Sequence, residues 1–303
     1  MQLPAQGHDP VLLDEVLTAL NPRPGQVFVD CTLGRAGHSS AIAARLGESG
    51  ILIGLDADPK NLTYAQSRLE SAPCTVRLFH ANFAELEDVL AEASTPAVHG
   101  ILADLGISTN QLFDPAYGLS FAQEMTLDMR LDPRIRRTAA DIVNTTREDD
   151  LANILFNLAQ ERYSRRIARK IAEARRQAPI TTTERLADIV RSAIPSRGGA
   201  PEKIDPATRT FMALRMAVND ELANLAQLLR KAPEHLHPGG RFGVISFHST
   251  EDRLVKQAFR ALEQDRGGGR FSLVTKKPLA PSDDETHRNP RSRSAKLRVI
   301  QRT

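Results

Sequence analysis

Asp30-Cys31-Thr32-Leu33-Gly34-Arg35-Ala36-Gly37-His38 follows directly on an apolar run that begins at Val27. A strand that ends in an acid, crosses a small-residue turn and enters a helix presents backbone amides to a nucleotide or nucleoside, and the small residues let that ligand approach. Gly34 and Gly37 can take positive φ at little cost, whereas Ala36 keeps the surface small with less backbone freedom. A second apolar run, 51–56, also ends in an acid. Asp56 stands about twenty residues past the turn, where a carboxylate accepts hydrogen bonds from ribose hydroxyls. The turn alone fits many strand-to-helix junctions, but the turn together with Asp56 points to a nucleoside ligand. A nicotinamide dehydrogenase is the natural rival, although Ser39 occupies the third glycine position of G-x-G-x-x-G.

Outward from this turn, apolar runs at 27–33, 51–56, 76–80 and 100–105 alternate with helix-like segments, the pattern of a parallel sheet covered by helices. Asp58 caps the helix after the second run, and Pro59 suits its first position, where no amide bond is needed. After Gly106 the alternation stops. A loop, a charged stretch and several helices follow, among them Thr181-Thr182-Thr183-Glu184 at capping-box spacing ahead of Leu186, Ile189, Val190 and Ile194. Residues 196–201 read as a loop. A long helix capped by Asp205-Pro206 then carries Phe211, Leu214, Val218, Leu222, Leu225 and Leu229 on one stripe, which assigns it to the core. A strand at 241–247, a helix at 252–263 and strands at 271–275 and 296–300 complete the chain. The expected fold is α/β: a Rossmann-like sheet with helices on both faces, formed by residues 1–107 and 206–303, with a mainly helical insertion over 108–205.

With 303 residues and 41% hydrophobic content the chain can bury a substantial core. No stretch approaches the roughly 20 apolar residues of a membrane span, and MQLPAQGHDP lacks the apolar centre of a signal peptide, so the expected location is cytoplasmic. Cys31 and Cys74 are too few for a disulfide framework and lack zinc-site spacing; both read as reduced thiols, and no metal is expected. The net charge of +3 matters only where cations concentrate. They do so over 160–176, where Arg162, Arg165, Arg166, Arg169, Lys170, Arg175 and Arg176 face only Glu161 and Glu173, and over 288–302, which holds Arg291, Arg293, Lys296 and Arg298 and no acid. Such cations neutralise phosphates without reading sequence, although charge alone fits a solvated helix face equally well.

Several segments besides the turn carry a family resemblance: His8-Asp9-Pro10-Val11-Leu12-Leu13-Asp14-Glu15, Asp104-Leu105-Gly106-Ile107-Ser108, Leu127-Asp128-Met129-Arg130 and Ala207-Thr208-Arg209-Thr210-Phe211. Ser246-Phe247-His248-Ser249 with Glu251-Asp252-Arg253, and the run from Asn289 to Arg298, extend it. Together they resemble the bacterial MraW family of small-subunit ribosomal RNA cytosine-N4 methyltransferases over nearly the whole chain. The resemblance implies a class I methyltransferase fold, S-adenosyl-L-methionine as cofactor, and a cofactor site of Ala36, Gly37, His38, Asp56, Phe83, Asp104 and Gln111. Asp104, His248 and Ser249 are the expected catalytic residues. Arg162, Arg165, Arg166, Arg169, Lys170, Arg291 and Arg293 are the expected RNA contacts, and the insertion is the expected substrate-recognition element. The implied partner is the small ribosomal subunit with its 16S ribosomal RNA, with neither membrane nor DNA, and a homodimer is left open. Cys31 and Ala36 stand where the family usually has glycine, Asn110 where it has proline and Thr250 where it has leucine. Three readings stay open beside this one: methylation of another RNA base or a small molecule, a dehydrogenase, and a non-catalytic ribosome-assembly factor.

Overall fold

The structure is a computed structural model that describes residues 10–195, 205–265 and 269–303; His8 and Asp9 of the first motif and the loop expected at 196–201 lie outside the described residues. The chain divides into two compact units, residues 1–106 with 222–303, and residues 107–221.

In chain order the elements are α1 (Leu13–Leu20), β1 (Val27–Asp30), α2 (Gly37–Leu46), β2 (Ile51–Asp56), α3 (Pro59–Arg68), β3 (Thr75–His80), α4 (Leu86–Glu92) and β4 (Val98–Asp104). The second unit follows with α5 (Thr109–Phe113), α6 (Ala139–Thr145), α7 (Glu148–Ala159), α8 (Ser164–Gln177), α9 (Thr183–Ala193) and α10 (Ala207–Val218). The first unit resumes in α11 (Glu221–Lys231) and continues through β5 (Leu236–Ser246), α12 (Ser249–Gln264), β6 (Phe271–Leu273), α13 (Asp283–Arg288) and β7 (Lys296–Arg302).

The sheet of the first unit runs β3-β2-β1-β4-β5-β7-β6. Strands β1 to β5 pair in parallel, while β7 lies antiparallel to both β5 and β6. Successive side chains along each strand feed opposite faces. Phe28, Leu52, Leu102, Ile245 and Val299 meet Val16, Leu17, Ile42, Leu46 and Ala65 from α1 to α3. Their neighbours Val29, Ile53, Ile101, Val244 and Ile300 meet Leu86, Leu90, Leu225, Leu229, Val255 and Phe259 from α4, α11 and α12. A strand buried on both faces must be apolar at consecutive positions, which is why these strands read as unbroken runs. At Gly100 a Cβ would lie 2.1 Å from Cε1 of Phe28, so the bare backbone makes room for that ring. The expected Rossmann-like sheet with helices on both faces is what the chain forms. It follows β1 with β2 and β3 on one side and continues to β4 and β5 on the other, so the switch point falls between β1 and β4, and its ligand crevice is at their carboxyl ends.

The second unit is helical. Leu127, Ile142, Leu155, Ile167, Ile171, Leu186, Val190, Phe211 and Leu214 form its core. The membership of α10 corrects the expectation that a single core helix follows Asp205: Phe211, Leu214 and Val218 pack in the second unit, whereas Leu225 and Leu229 pack in the first. The helix breaks at Asn219-Asp220, where Asp220 takes φ +48 and the Asn219 amide donates to the carbonyls of Met129 (2.8 Å) and Arg215 (2.9 Å). One continuous stripe thus serves two cores. No helix among the described residues is long and apolar enough to cross a membrane.

Candidate functional site

At the carboxyl end of β1, Asp30 is buried and organises the turn behind it. It accepts from the Thr32 amide at 3.1 Å and from the Ser39 hydroxyl at 2.7 Å, while burial pushes its carboxyl above the usual range. Thr32 in turn accepts from the Asp104 amide through Oγ1 at 2.6 Å, tying the ends of β1 and β4 together. The Leu33 amide donates to the Leu55 carbonyl at 2.9 Å, and the Gly34 amide donates to Asp56 Oδ2 at 2.7 Å. The glycine turn and the second acid are therefore one hydrogen-bonded assembly.

Asp56 also accepts from the Asp58 amide at 2.8 Å, and the Asn61 amide group straddles both of its oxygens at 3.3 Å. Two carboxylate oxygens offer about four lone-pair positions. The shared contact from Asn61 is the longest and weakest of these. Burial pushes Asp56 up to about 6, against the hydrogen bonds that favour its charged form.

Gly34 takes φ +51 and Ala36 φ +57, so the alanine occupies the left-handed region that favours glycine. It is fully buried. Gly37 opens α2 against Pro10: a Cβ there would lie 3.1 Å from the proline Cβ. Beside it the His38 ring is buried, with Nε2 at 2.9 Å from the Val11 carbonyl and Nδ1 at 3.7 Å from Asp104 Oδ2. A carbonyl only accepts, so Nε2 carries the proton. His38 thus joins the Pro10–Val11 segment to the floor of the site. Phe83 begins a short 3-10 turn past β3, and its partly buried ring packs on the core.

Asp104 ends β4. Burial, with Asp30 and Glu251 as nearby like charges, pushes its carboxyl well above the usual range, and its Oδ1 is buried without a hydrogen-bond partner among the described residues. A buried polar atom left unpaired is expensive, about 1–3 kcal/mol, and such atoms mark places where a ligand completes the bonding. His248 caps α12: its Nδ1 accepts from the Glu251 amide at 3.4 Å, while Glu251 Oε2 accepts from the amides of Phe247 (2.9 Å) and His248 (3.3 Å). Its Nε2 lies 2.9 Å from Glu251 Oε1, out of hydrogen-bonding alignment, and is the second buried atom of this unit without such a partner among the described residues. Ser249 is exposed at the first position of α12.

The family model that matches this chain is that of the MraW methylase family, over residues 5–303. The chain belongs to the MraW methylase family. It is 45% identical over 308 residues to the ribosomal RNA small subunit methyltransferase H of Syntrophotalea carbinolica, covering 97% of this chain and 98% of that protein. The corresponding proteins of Acidobacterium capsulatum and Geobacter sulfurreducens are each 45% identical, over 302 and 307 residues, again covering 97% of this chain and 98% of theirs.

In this MraW-family chain the first unit brings together Ala36, Gly37, His38, Asp56, Asp104 and His248 along neighbouring strand ends. Gln111 belongs to the second unit, in α5, where Ser108 and Gln111 cap one another at 3.2 and 3.0 Å. Asp30 and Glu251 stand in motifs legible in the sequence but without an assigned role there, and Asn61 carries no signal in it. Glu251 carried a signal, since an acid three residues past a capping position is half of a capping box, but histidine is an unusual partner for it.

The cations are sorted less uniformly. Arg162, Arg165, Arg166, Arg169 and Lys170 are exposed, whereas Ile167, Ala168, Ile171 and Ala172 turn inward. Arg169 lies 3.8 Å from Glu148, and Lys170 3.1 Å from Glu173. Arg175 instead donates to the carbonyls of Val143 (2.8 Å) and Thr146 (2.7 Å), closing the end of α6. In the first unit Arg291 and Arg293 are exposed, while Lys296 and Arg298 are held by Asp252 at 3.2 and 2.7 Å.

Proposed function

We propose that this chain transfers a methyl group from S-adenosyl-L-methionine to the exocyclic N4 of a cytosine in the RNA of the small ribosomal subunit. The observation that carries the reading is Asp104, a carboxyl at the sheet's switch point whose buried Oδ1 has no partner among the described residues. Membership of the MraW methylase family, and relatives named ribosomal RNA small subunit methyltransferase H, support methylation of small-subunit ribosomal RNA; cytosine N4 as the acceptor is the finer part of the proposal.

The residues present fit the cofactor. Asp56 accepts from the ribose hydroxyls, the small surface of Ala36 and Gly37 admits close approach, and Phe83 offers an apolar face to adenine. When bound, the cofactor supplies a methyl group on a sulfonium, already activated for transfer. What remains for the protein is alignment of the acceptor nitrogen, together with management of its protons. The lone pair of a cytosine amine is delocalised into the ring, and an acceptor for its N–H bonds draws that pair back onto nitrogen. Asp104 Oδ1 is that acceptor. Because burial makes its carboxyl a stronger base than a surface aspartate once ionised, Asp104 also takes the proton released on transfer. Glu251 holds the Phe247-His248 turn, and His248 beside it orients the base.

The exposed cations of α8 hold RNA phosphates. Arg165 and Arg166 occupy the first turn of α8, which has no acid and no side-chain cap. Cations there oppose the helix dipole, so they do not serve the stability of the helix itself. The test is to incubate the chain with methyl-labelled cofactor and small subunits lacking the modification. Label is expected in the subunit RNA, with NAD failing to bind; label that stays out of the RNA while the cofactor binds would leave the assembly-factor reading in its place.

A further inference from the structure

One side chain of the second unit is out of place for a purely structural helix. Phe156, in the last turn of α7, is 56% exposed, although the same helix buries Leu151, Ala152, Leu155 and Ala159. Its neighbours at helical spacing are Asn153 and Gln160, and Asn157 follows it in the chain; all three are exposed and uncharged. The acids of α7, Glu148, Asp149 and Asp150, sit in its first turn, two turns away.

The partner helix sets what lies beside the ring. Arg169 reaches Glu148, so α7 and α8 run antiparallel, and the last turn of α7 meets the first turn of α8. Phe156 therefore shares one end of this hairpin with Arg162, Arg165 and Arg166. The one acid between Leu151 and Arg166, Glu161, is buried and accepts from the Tyr163 amide at 2.8 Å. The surface at that end is an exposed aromatic ring, a polar uncharged surround and a group of arginines, with no exposed acid between Leu151 and Arg166.

From this arrangement we infer that Phe156 is a stacking platform for an unpaired base of the substrate RNA, with Arg162, Arg165 and Arg166 on the flanking phosphates. An exposed phenyl ring offers a base one flat apolar face, and every base has a π-face to lay on it. The arginines match the charge of an RNA strand and repel a basic protein surface. Asn153, Asn157 and Gln160 offer both donors and acceptors to base edges. The inference rests on the RNA-methyltransferase reading above.

The chain has no tryptophan, which makes the test direct. Phe156→Trp places a single indole at the platform, and Phe156→Ala removes the ring from an exposed position where folding does not need it. Methyl transfer to small subunits lacking the modification is measured for both and for wild type, and indole emission is followed as a single-stranded oligocytidylate and then subunits are added. Phe156→Ala is expected to raise KM for subunits about five- to tenfold, within the range one stacked base contributes, with kcat and cofactor affinity unchanged. Phe156→Trp is expected to restore KM, and its emission to be quenched by the oligonucleotide and by subunits. A KM for Phe156→Ala within twofold of wild type, or emission unmoved while subunits are methylated, overturns the platform alone. Emission that changes with protein concentration and no RNA assigns the ring to a second copy of the chain, and overturns it too. A wild type that transfers no methyl to subunits removes the functional reading, and the platform with it.

Discussion

The two units place polar chemistry in opposite ways. In the first, Asp30, Asp104 and Glu251 are drawn into the protein at strand ends and a helix start, where burial raises Asp30 and Asp104 above the usual carboxylate range. In the second, α8 buries alanine and isoleucine and leaves Arg165, Arg166, Arg169 and Lys170 in water. Asp30 and Glu251 are held by specific amides while Asp104 keeps an oxygen unpaired among the described residues; the exposed cations are numerous and loosely held. The contrast fits the proposed division of work, in which the first unit holds the methyl donor and reacting atoms and the second holds a polyanion whose contacts are interchangeable.

The largest effect is expected at Asp104. Asp104→Asn keeps the shape and removes the base, so kcat for methyl transfer should fall by about 10²–10⁴, the range for loss of one acid–base group. Because burial raises this carboxyl well above the usual aspartate range, wild-type kcat should go on rising with pH beyond the point where an ordinary carboxylate is fully ionised, and the variant's residual rate should lose that rise. Steady-state kinetics across pH check both. A full-rate Asp104→Asn enzyme would move the chemistry out of the strand ends.

Next comes the other side of the comparison. Charge reversal of Arg165, Arg166 and Arg169 to Glu should raise KM for subunits by about 10² and flatten its salt dependence by about one unit of log–log slope per lost phosphate contact. Cofactor affinity, read by calorimetry, should not move. An unchanged KM would leave these cations as a solvated face.

A smaller effect belongs to Asp56. Its carboxyl ionises at about 6 in the free protein, and ribose hydroxyls donate to the charged form. Cofactor binding is then expected to release a proton below pH 6, so affinity should rise with pH, by at most about tenfold per unit, and level off above pH 6. Affinity that stays flat between pH 5 and 7 would remove Asp56 from the ribose. The smallest effect is Ala36→Gly. Relief of the left-handed backbone, offset by the greater freedom of an unfolded glycine, should stabilise the protein by up to about 1 kcal/mol and leave cofactor binding intact or stronger. Chemical denaturation checks the gain; a loss would mean that the buried methyl of Ala36 matters more than its φ.

The parallel strands were legible because burial on both faces forces consecutive apolar residues, and the turn because Gly34 and Asp56 serve one hydrogen bond. The end of the second unit was not. Helical periodicity from Phe211 to Leu229 is continuous on both sides of Asn219-Asp220, and the pair's turn chemistry outweighs it only because Asn219 binds backbone at Met129 and Leu131, distant in sequence. The same limit hid the role of Asp30, whose partners Thr32 and Ser39 become meaningful only when the turn closes, and obscured His248, whose place as a cap depends on the Glu251 amide. The cations were visible as a cluster. Which of them face water depended on tertiary partners such as the α6 carbonyls that claim Arg175.

The most direct test of the division of work is the product itself. Small subunits lacking the modification, incubated with the chain and S-adenosyl-L-methionine, digested with nuclease and read by mass spectrometry, should contain N4-methylcytosine that is absent without the cofactor. Subunits that bind the chain, yet yield methylation on another base or none at all, would contradict it.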